Sequence, residues 1–176
     1  MAVQPGERMQ VVRGNITQLQ VDAIVNAANA SLAPGGGVDG AIRRAAGPEL
    51  DEACRQLGGC PPGEARITPG FRLPARYVIH TVGPIYHGGQ LGEAQLLRSC
   101  YINSLRLALE KGIRSIAFPC ISTGVYGYPK SEACVIAVTA VSEWLRDQEL
   151  PERVIFCCFD EEDYILYKKQ LQELSA

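Results

Sequence analysis

The second half of the chain alternates between amphipathic helical patterns and short apolar runs, and this alternation constrains the fold more than any other feature. Residues 93–111, 131–146 and 161–174 carry apolar side chains at helical spacing. Residues 115–121 and 153–159 lie between them and are typical of buried strands. Strands that alternate with helices pair in parallel and are covered by helices on both faces. We therefore predict an α/β fold with a mainly parallel central sheet.

The first half of the chain adds shorter elements. Its predicted strands begin at Val11 and cover residues 21–26, 66–68 and 77–82, and its predicted helices cover residues 38–46 and 49–57. A chain of 176 residues is most simply one domain, so we predict a single domain over residues 1–176. Folding at this size buries roughly 70% of the unfolded surface, so the domain needs neither a metal nor a disulfide for stability.

Composition narrows the possible partners. The net charge is only −2 and no basic stripe is present, so nucleic acid is not an expected partner. The chain has no apolar run of about 18 residues and no signal-peptide core, which predicts a cytoplasmic protein without a membrane partner. Its seven cysteines form no C-x-x-C pair, and neither His80 nor His87 has ligand spacing to a cysteine. We expect reduced, buried thiols, no metal, no cofactor and a monomer.

A glycine-rich segment follows the predicted strand 21–26. Asn26 ends that strand, and Gly35 opens a stretch that satisfies G-x-G-x-x-G. A dinucleotide-binding fold needs this motif directly after a strand, whereas about eight residues intervene here. Glycine N–H groups beside a helix start favour a backbone-lined anion site, and a flexible turn is the alternative.

Residues 122–129 (STGVYGYP) form a second loop of unusual chemistry after a predicted strand. Residues 124–131 almost match a P-loop, but Pro129 stands where that motif requires glycine and removes a backbone donor. Consecutive N–H groups here suit a diphosphate held without magnesium, and a plain surface turn is the alternative. Both loops leave carboxyl ends of strands, so we predict that they face each other across one cleft.

Two polar residues near the glycines are candidate site residues. The amide of Asn29 offers one acceptor group and two donor hydrogens, which match the vicinal hydroxyls of a ribose. Asp39 lies near a helix start, where a carboxylate by itself most often caps the helix. The neighbouring glycines favour a role for Asp39 in the site.

Several motifs in the same order resemble those of the MacroD-type macrodomains, from about Val11 to Tyr167. The matching segments are residues 14–17 (GNIT), 21–29 (VDAIVNAAN), 35–40 (GGGVDG), 44–47 (RAAG) and 119–129 (PCISTGVYGYP). The resemblance implies a three-layer α/β/α sandwich around a mixed sheet. It also implies that the chain binds ADP-ribose and hydrolyses its ester adducts, namely mono-ADP-ribosyl glutamate or aspartate on proteins and O-acetyl-ADP-ribose. A non-catalytic module that binds ADP-ribose is the first alternative. A hydrolase acting on ADP-ribosylated nucleic acid is the second, and the acidic pI speaks against it.

The resemblance also implies a role for each residue of the cleft. Asn15 and Ile16 would hold the adenine and Asn29 the distal ribose, Asp39 would orient or activate water, and Tyr126 would pack over that ribose and help order the water. The diphosphate would lie between two backbone segments, made of Ser122, Thr123, Gly124, Val125 and Tyr126 on one side and Gly36, Gly37 and Val38 on the other. An ester is already activated, so positioning and a modest base suffice for its hydrolysis.

The chain departs from the family pattern at two positions. Asn15 stands where the family usually has Asp, so an adenine amine would lose a charge-assisted bond and base preference could broaden. Arg43 stands where the MacroD type commonly has His. It follows Asp39 by four residues, so the two can pair on a helix and keep the carboxylate ionised as a weaker base. A substrate contact and a solvated arginine are the alternatives for Arg43.

Overall fold

The computed structural model describes residues 4–175, and within them a six-stranded sheet lies between two layers of helices. The strands are β1 (Met9–Arg13), β2 (Ala23–Ala27), β3 (Ala65–Pro69), β4 (Tyr77–Thr81), β5 (Ser115–Phe118) and β6 (Arg153–Cys158). The helices are α1 (Gly37–Ala46), α2 (Pro48–Leu57), α3 (Glu93–Glu110), α4 (Lys130–Asp147) and α5 (Glu161–Ser175). Two short 3-10 turns, Pro5–Arg8 and Ile16–Gln18, flank β1. The predicted three-layer α/β/α architecture is confirmed.

The strand order β1-β6-β5-β2-β4-β3 determines where a ligand can bind. Every neighbouring pair is parallel except β3 and β4, which run antiparallel, so the predicted mixed, mainly parallel sheet is confirmed. The carboxyl ends of β1, β6, β5 and β2 therefore lie side by side at one edge of the sheet. Ligands of open α/β sheets bind beyond this edge.

The two faces of the sheet bury separate apolar cores. Successive side chains of a strand point to opposite faces, and in β2 Ala23 and Val25 enter one core while Ile24 enters the other. The first core packs against α3, α4 and α5, and its aromatic rings include Tyr101 and Phe118 with centroids 4.9 Å apart. The second core packs against α1 and α2. Burial on both faces explains why the strands read as continuous apolar runs.

Some sequence-based boundaries and core positions were wrong. The strand predicted over residues 115–121 ends at Phe118, because Pro119 supplies no N–H to the ladder and the chain turns into the loop. Leu109 has the helical spacing of the apolar stripe in residues 93–111 but is 37% exposed. Trp144, which the same spacing predicts to face inward in residues 131–146, is half-buried and packs against the first core. The indole N–H of Trp144 donates to Leu150 O at 3.0 Å.

All seven cysteines are free thiols, six of them buried and Cys120 half-buried. Within residues 4–175, no helix has both the length and the hydropathy that crossing a membrane requires. The same residues contain no group of three or more Cys, His, Asp or Glu side chains that could hold a metal ion.

Candidate active site

A cleft of about 790 Å³ lies at the carboxyl edge of the sheet. Its volume is within the range of small-molecule sites. The structure brings all the predicted site residues to its walls, namely Asn15, Ile16, Asn29, Gly36, Gly37, Val38, Asp39, Ser122, Thr123, Gly124, Val125 and Tyr126. The two loops that the sequence predicted to face each other do so here.

The sheet topology gives the cleft two distinct ends. Because β1 and β6 are paired in parallel, Gly14 meets the end of β6, and its N–H donates to Cys158 O at 3.0 Å. Asn15 and Ile16 follow at this end of the cleft. The loop after β5 forms the middle, and Asn29, which follows β2, lies at the other end.

The loop after β5 leaves several backbone donors unused. Ser122, at φ 68°, is held by its hydroxyl, which donates to Pro84 O at 2.9 Å, and its carbonyl accepts from Tyr128 N–H at 2.9 Å. A side chain at Gly83 would overlap Ser122 Oγ, so glycine is needed there for the loop to pack against the end of β4. The N–H groups of residues 123–126 donate to no acceptor in the described part of the protein. They are therefore available to an anion in the cleft.

The glycine loop supplies a second set of donors from the opposite wall. It leads into α1, whose first residue, Gly37, has φ 57°, a conformation that favours glycine. Among residues 4–175, no acceptor is found for the N–H groups of residues 36–38. The positive end of the α1 dipole points the same way, so this wall attracts negative charge.

Asp39 lies under the glycine loop and is only 3% exposed. Its Oδ2 accepts from Gly35 N–H at 2.6 Å and from Arg43 Nε at 2.9 Å, while Oδ1 accepts from Asn26 Nδ2 at 2.7 Å. The predicted pairing of Asp39 with Arg43 is therefore present. Among the described residues Oδ1 accepts one hydrogen bond, so it can accept one more.

Arg43 is 7% exposed, and every part of its guanidinium contacts protein. Besides the bond to Asp39, Nη1 donates to Asp51 Oδ1 at 2.7 Å and Nη2 donates to Leu32 O at 2.9 Å. Burial lowers the pKa of Arg43, but the hydrogen bond to Asp51 and the charge of Asp39 outweigh it, so the net shift is upward. The alternative of a solvated arginine is wrong, because the side chain is buried and holds the loop, and Arg43 is not among the residues that line the cleft.

A buried polar chain, missed by the sequence-based reasoning, continues behind Asp39. Asn26 Nδ2 lies 3.2 Å from His80 Nδ1, and His80 Nε2 lies 3.0 Å from Thr68 Oγ1. Burial above all, and then the charge of Arg43, lower the pKa of His80 to about 4. His80 is therefore neutral at pH 7, with Nδ1 accepting from Asn26 and Nε2–H donating to Thr68.

Acidification is expected to destabilise the fold through His80. Its pKa is lower in the folded state than the ordinary 6.5, so the unfolded chain binds the proton first, and stability is lost as the pH falls from about 6.5 to about 4. The shift corresponds to a change of about 3 kcal/mol in the free energy of unfolding. Urea unfolding at pH 7, 5.5 and 4 should show that His80→Gln loses about 3 kcal/mol less than the wild type over this range.

Carboxylates such as Glu93 also contribute less to stability as the pH falls, and their effect serves as the reference for that experiment. Hydrogen bonds from backbone N–H groups, His87 first, lower the pKa of Glu93 to about 2. Its contribution is lost as the pH falls from about 4.5 towards 2, and it is the same in both proteins. Equal losses for wild type and His80→Gln between pH 7 and pH 4 would contradict the assignment to His80.

Asn29 both shapes its turn and faces the cleft. Its Oδ1 accepts from Ser31 Oγ at 2.8 Å and from Ala33 N–H at 3.1 Å, and its Nδ2 donates to Ala33 O at 2.8 Å. One hydrogen of Nδ2 remains for a ligand. Tyr126, half-buried across the cleft, has its backbone carbonyl held by Tyr86 N–H at 2.9 Å.

The sequence-based reasoning also missed the residues that follow β6. Phe159 lines the cleft beside Asn15 and is 88% exposed, which is unusual for a large aromatic side chain. Lys130 Nζ lies 3.0 Å from Asp160 Oδ2 and 3.5 Å from Asp163 Oδ2 on the same wall. The rule that ligands bind beyond parallel strands would have predicted this position, because Phe159 comes directly after β6.

Comparisons with known proteins show to which family the chain belongs. The Macro domain family model matches residues 25–137. The O-acetyl-ADP-ribose deacetylase of Citrobacter rodentium is 59% identical over 94% of this chain and 96% of its own length. ADP-ribose glycohydrolase MACROD1 of Bos taurus is 55% identical over 96% of this chain and 52% of its own length. A variant of the Oceanobacillus iheyensis macrodomain, solved with ADPR, has a TM-score of 0.90 and 46% identity, covering 94% of this chain and 92% of that one. The chain belongs to the macrodomain family and is of the MacroD type.

Proposed function

We propose that this protein binds ADP-ribose in the cleft and hydrolyses the esters that ADP-ribose forms with carboxylic acids. The substrates are mono-ADP-ribosyl glutamate or aspartate in proteins and O-acetyl-ADP-ribose. The observation that carries the proposal is the presence of two facing sets of unpaired backbone N–H groups in a cleft that holds Asn29 and Asp39 at one end. Addition of water to the ester yields ADP-ribose and the free carboxylic acid.

The binding half of the proposal follows from the order of groups along the cleft. Phe159 offers an exposed ring at the β1–β6 end, on which a base can stack. The N–H groups of residues 123–126 and of residues 36–38 would hold the diphosphate between them. The free Nδ2 hydrogen of Asn29 would then meet the hydroxyls of the distal ribose. Base, diphosphate and ribose thus follow one another as they do in ADP-ribose.

The chemical half of the proposal assigns Asp39 to water. Its carboxylate is held by three donors, one of them a cation, so it is fixed in place as an acceptor that would orient water. The free lone pair of Oδ1 would take one hydrogen of that water. Tyr126 would cover the distal ribose and exclude bulk solvent. An activated ester needs no more than this positioning and a weak base.

Variants of a relative support the same three positions. The Oceanobacillus iheyensis macrodomain has been solved with an Asn, a Gly or an Asp substituted, and these residues are spaced seven and three apart, as Asn29, Gly36 and Asp39 are here. The glycine variant was solved with ADPR. These variants support a role for the corresponding residues of this chain.

The test is single-turnover release of ADP-ribose from a protein modified on glutamate, with the enzyme in excess. A protein that carries ADP-ribose on arginine is the matched control, because its N-glycosidic bond lacks the activated acyl group. We expect release from the ester alone, and heat on calorimetric mixing with free ADP-ribose. Absence of both heat and thermal shift would refute the binding proposal.

A second candidate function is a module that binds ADP-ribose without turning it over. The ion pair of Asp39 with Arg43 favours it, since the oxygen that pairs with Arg43 also accepts from Gly35 N–H and has no lone pair left for a water. Calorimetric binding with background release would support this reader function. Turnover gained by Arg43→His would then identify the arginine as the reason for the lost activity.

A further inference from the structure

At the β1–β6 end of the cleft, where the base of the ligand would bind, Asn15 offers its amide nitrogen rather than its amide oxygen to a ligand. Asn15 Oδ1 accepts from the Thr17 N–H at 3.0 Å and from the Thr17 hydroxyl at 2.6 Å. A backbone N–H can only donate, so the amide oxygen must be the end that faces Thr17. Both lone pairs of that oxygen are occupied, which leaves Asn15 Nδ2, a donor, for a ligand.

The neighbouring groups reinforce this donor character. The Ile16 N–H finds no acceptor within residues 4–175. Asp160, the carboxylate next to Phe159, is already engaged on both oxygens, because Oδ1 accepts from Asp163 N–H at 2.8 Å and Oδ2 accepts from Lys130 Nζ at 3.0 Å. A base that stacks on Phe159 therefore meets two free donors, Asn15 Nδ2 and the Ile16 N–H, and a carboxylate whose two oxygens each accept one hydrogen bond already.

Purines differ in how well they match such a surface. Adenine presents N7 as an acceptor next to the N6 amine, a donor, whereas a 6-oxopurine presents N7 and O6 as two adjacent acceptors. Stacking on Phe159 does not discriminate between them, because every base has a π-face. Because N7 accepts in both purines, the choice at this edge falls to the donor that faces the group at C6, namely Asn15 Nδ2.

We propose that Asn15 is a specificity-determining residue that shifts base preference from adenine towards 6-oxopurines. This inference rests on the proposed function, because it assumes that a nucleoside diphosphoribose occupies the cleft. Asn15 Nδ2 donates to O6 of a 6-oxopurine, where it would oppose the N6 amine of adenine. The hypoxanthine analogue of ADP-ribose consequently binds at least as tightly as ADP-ribose.

The experiment compares two probes in three proteins by calorimetry. The probes are ADP-ribose and inosine diphosphoribose, which share both riboses and the diphosphate, and the proteins are wild type, Asn15→Asp and Asn15→Ala. Asn15→Asp replaces the donor by a charged acceptor, so the affinity ratio should move towards ADP-ribose by about tenfold. Asn15→Ala removes both groups, and its ratio should lie between the other two. A substitution that merely loosens the turn at Asn15 weakens the binding of both probes alike, so this effect cancels from the affinity ratio.

The outcomes separate this inference from the function on which it rests. A ratio that moves towards ADP-ribose by more than about threefold in Asn15→Asp supports the role of Asn15. Binding of both probes with a smaller change, or with a change in the other direction, overturns the inference alone. Failure of both probes to bind the wild type overturns the proposed function and the inference together.

Discussion

Asp39→Ala is expected to slow single-turnover release of ADP-ribose from a glutamate-modified protein by at least about 100-fold. The substitution removes the carboxylate that lines the cleft with Asn29, and with it the proposed acceptor for water. It also frees Gly35 N–H, Asn26 Nδ2 and Arg43 Nε, all of which Asp39 now holds. Affinity for free ADP-ribose should fall by less than about tenfold, because the two sets of diphosphate donors remain.

Asp51→Asn is the matched control for this effect. Asp51 is the other carboxylate that binds Arg43, at 2.7 Å, but its side chain is 43% exposed. It does not line the cleft. Release by Asp51→Asn should stay within about threefold of wild type. Equal losses in the two variants, or a loss of affinity as large as the loss of rate in Asp39→Ala, would mean that Asp39 only supports the loop.

Arg43→Met is expected to lower the free energy of unfolding by about 3–5 kcal/mol, because it leaves the buried carboxylate of Asp39 without its cation. Methionine fills a similar volume but donates nothing to Asp39, Asp51 or the Leu32 carbonyl. Urea denaturation measures the change.

The next residue of the same helix provides the control for Arg43→Met. Arg44 is exposed, so Arg44→Met should change the free energy of unfolding by no more than about 0.5 kcal/mol. Similar effects at residues 43 and 44 would show that the buried ion pair contributes little to stability.

Much of the fold could be predicted from local patterns. Alternating helical and strand-like segments predicted the three layers, because the period of apolar residues is set by which face of an element is buried. Errors fell at the ends of elements. Pro119 ended β5 earlier than its apolar run suggested, and in the last turn of α3 Leu109 is 37% exposed although Ala108 beside it is fully buried.

The candidate site was predicted in outline but not in its contacts. Asn29, the glycine loop and the loop after β5 carry chemistry that is visible residue by residue, and all of them line the cleft. The buried chain through His80 was missed, because it joins Asn26 to a residue 54 positions away through the pairing of β2 with β4. Phe159 was predicted to end a strand, and only the tertiary structure shows that its ring is exposed in the cleft.

The sequence by itself determined the order of the layers, the two donor-rich loops and the pairing of Asp39 with Arg43, because periodicity, glycine content and spacing along a helix are local properties. Only the tertiary structure decided that Arg43 is buried against Asp51 and Leu32 and that Phe159 shares a cleft with Asn15. These contacts depend on strand register and on the packing of distant elements, which lie beyond the range of any local pattern.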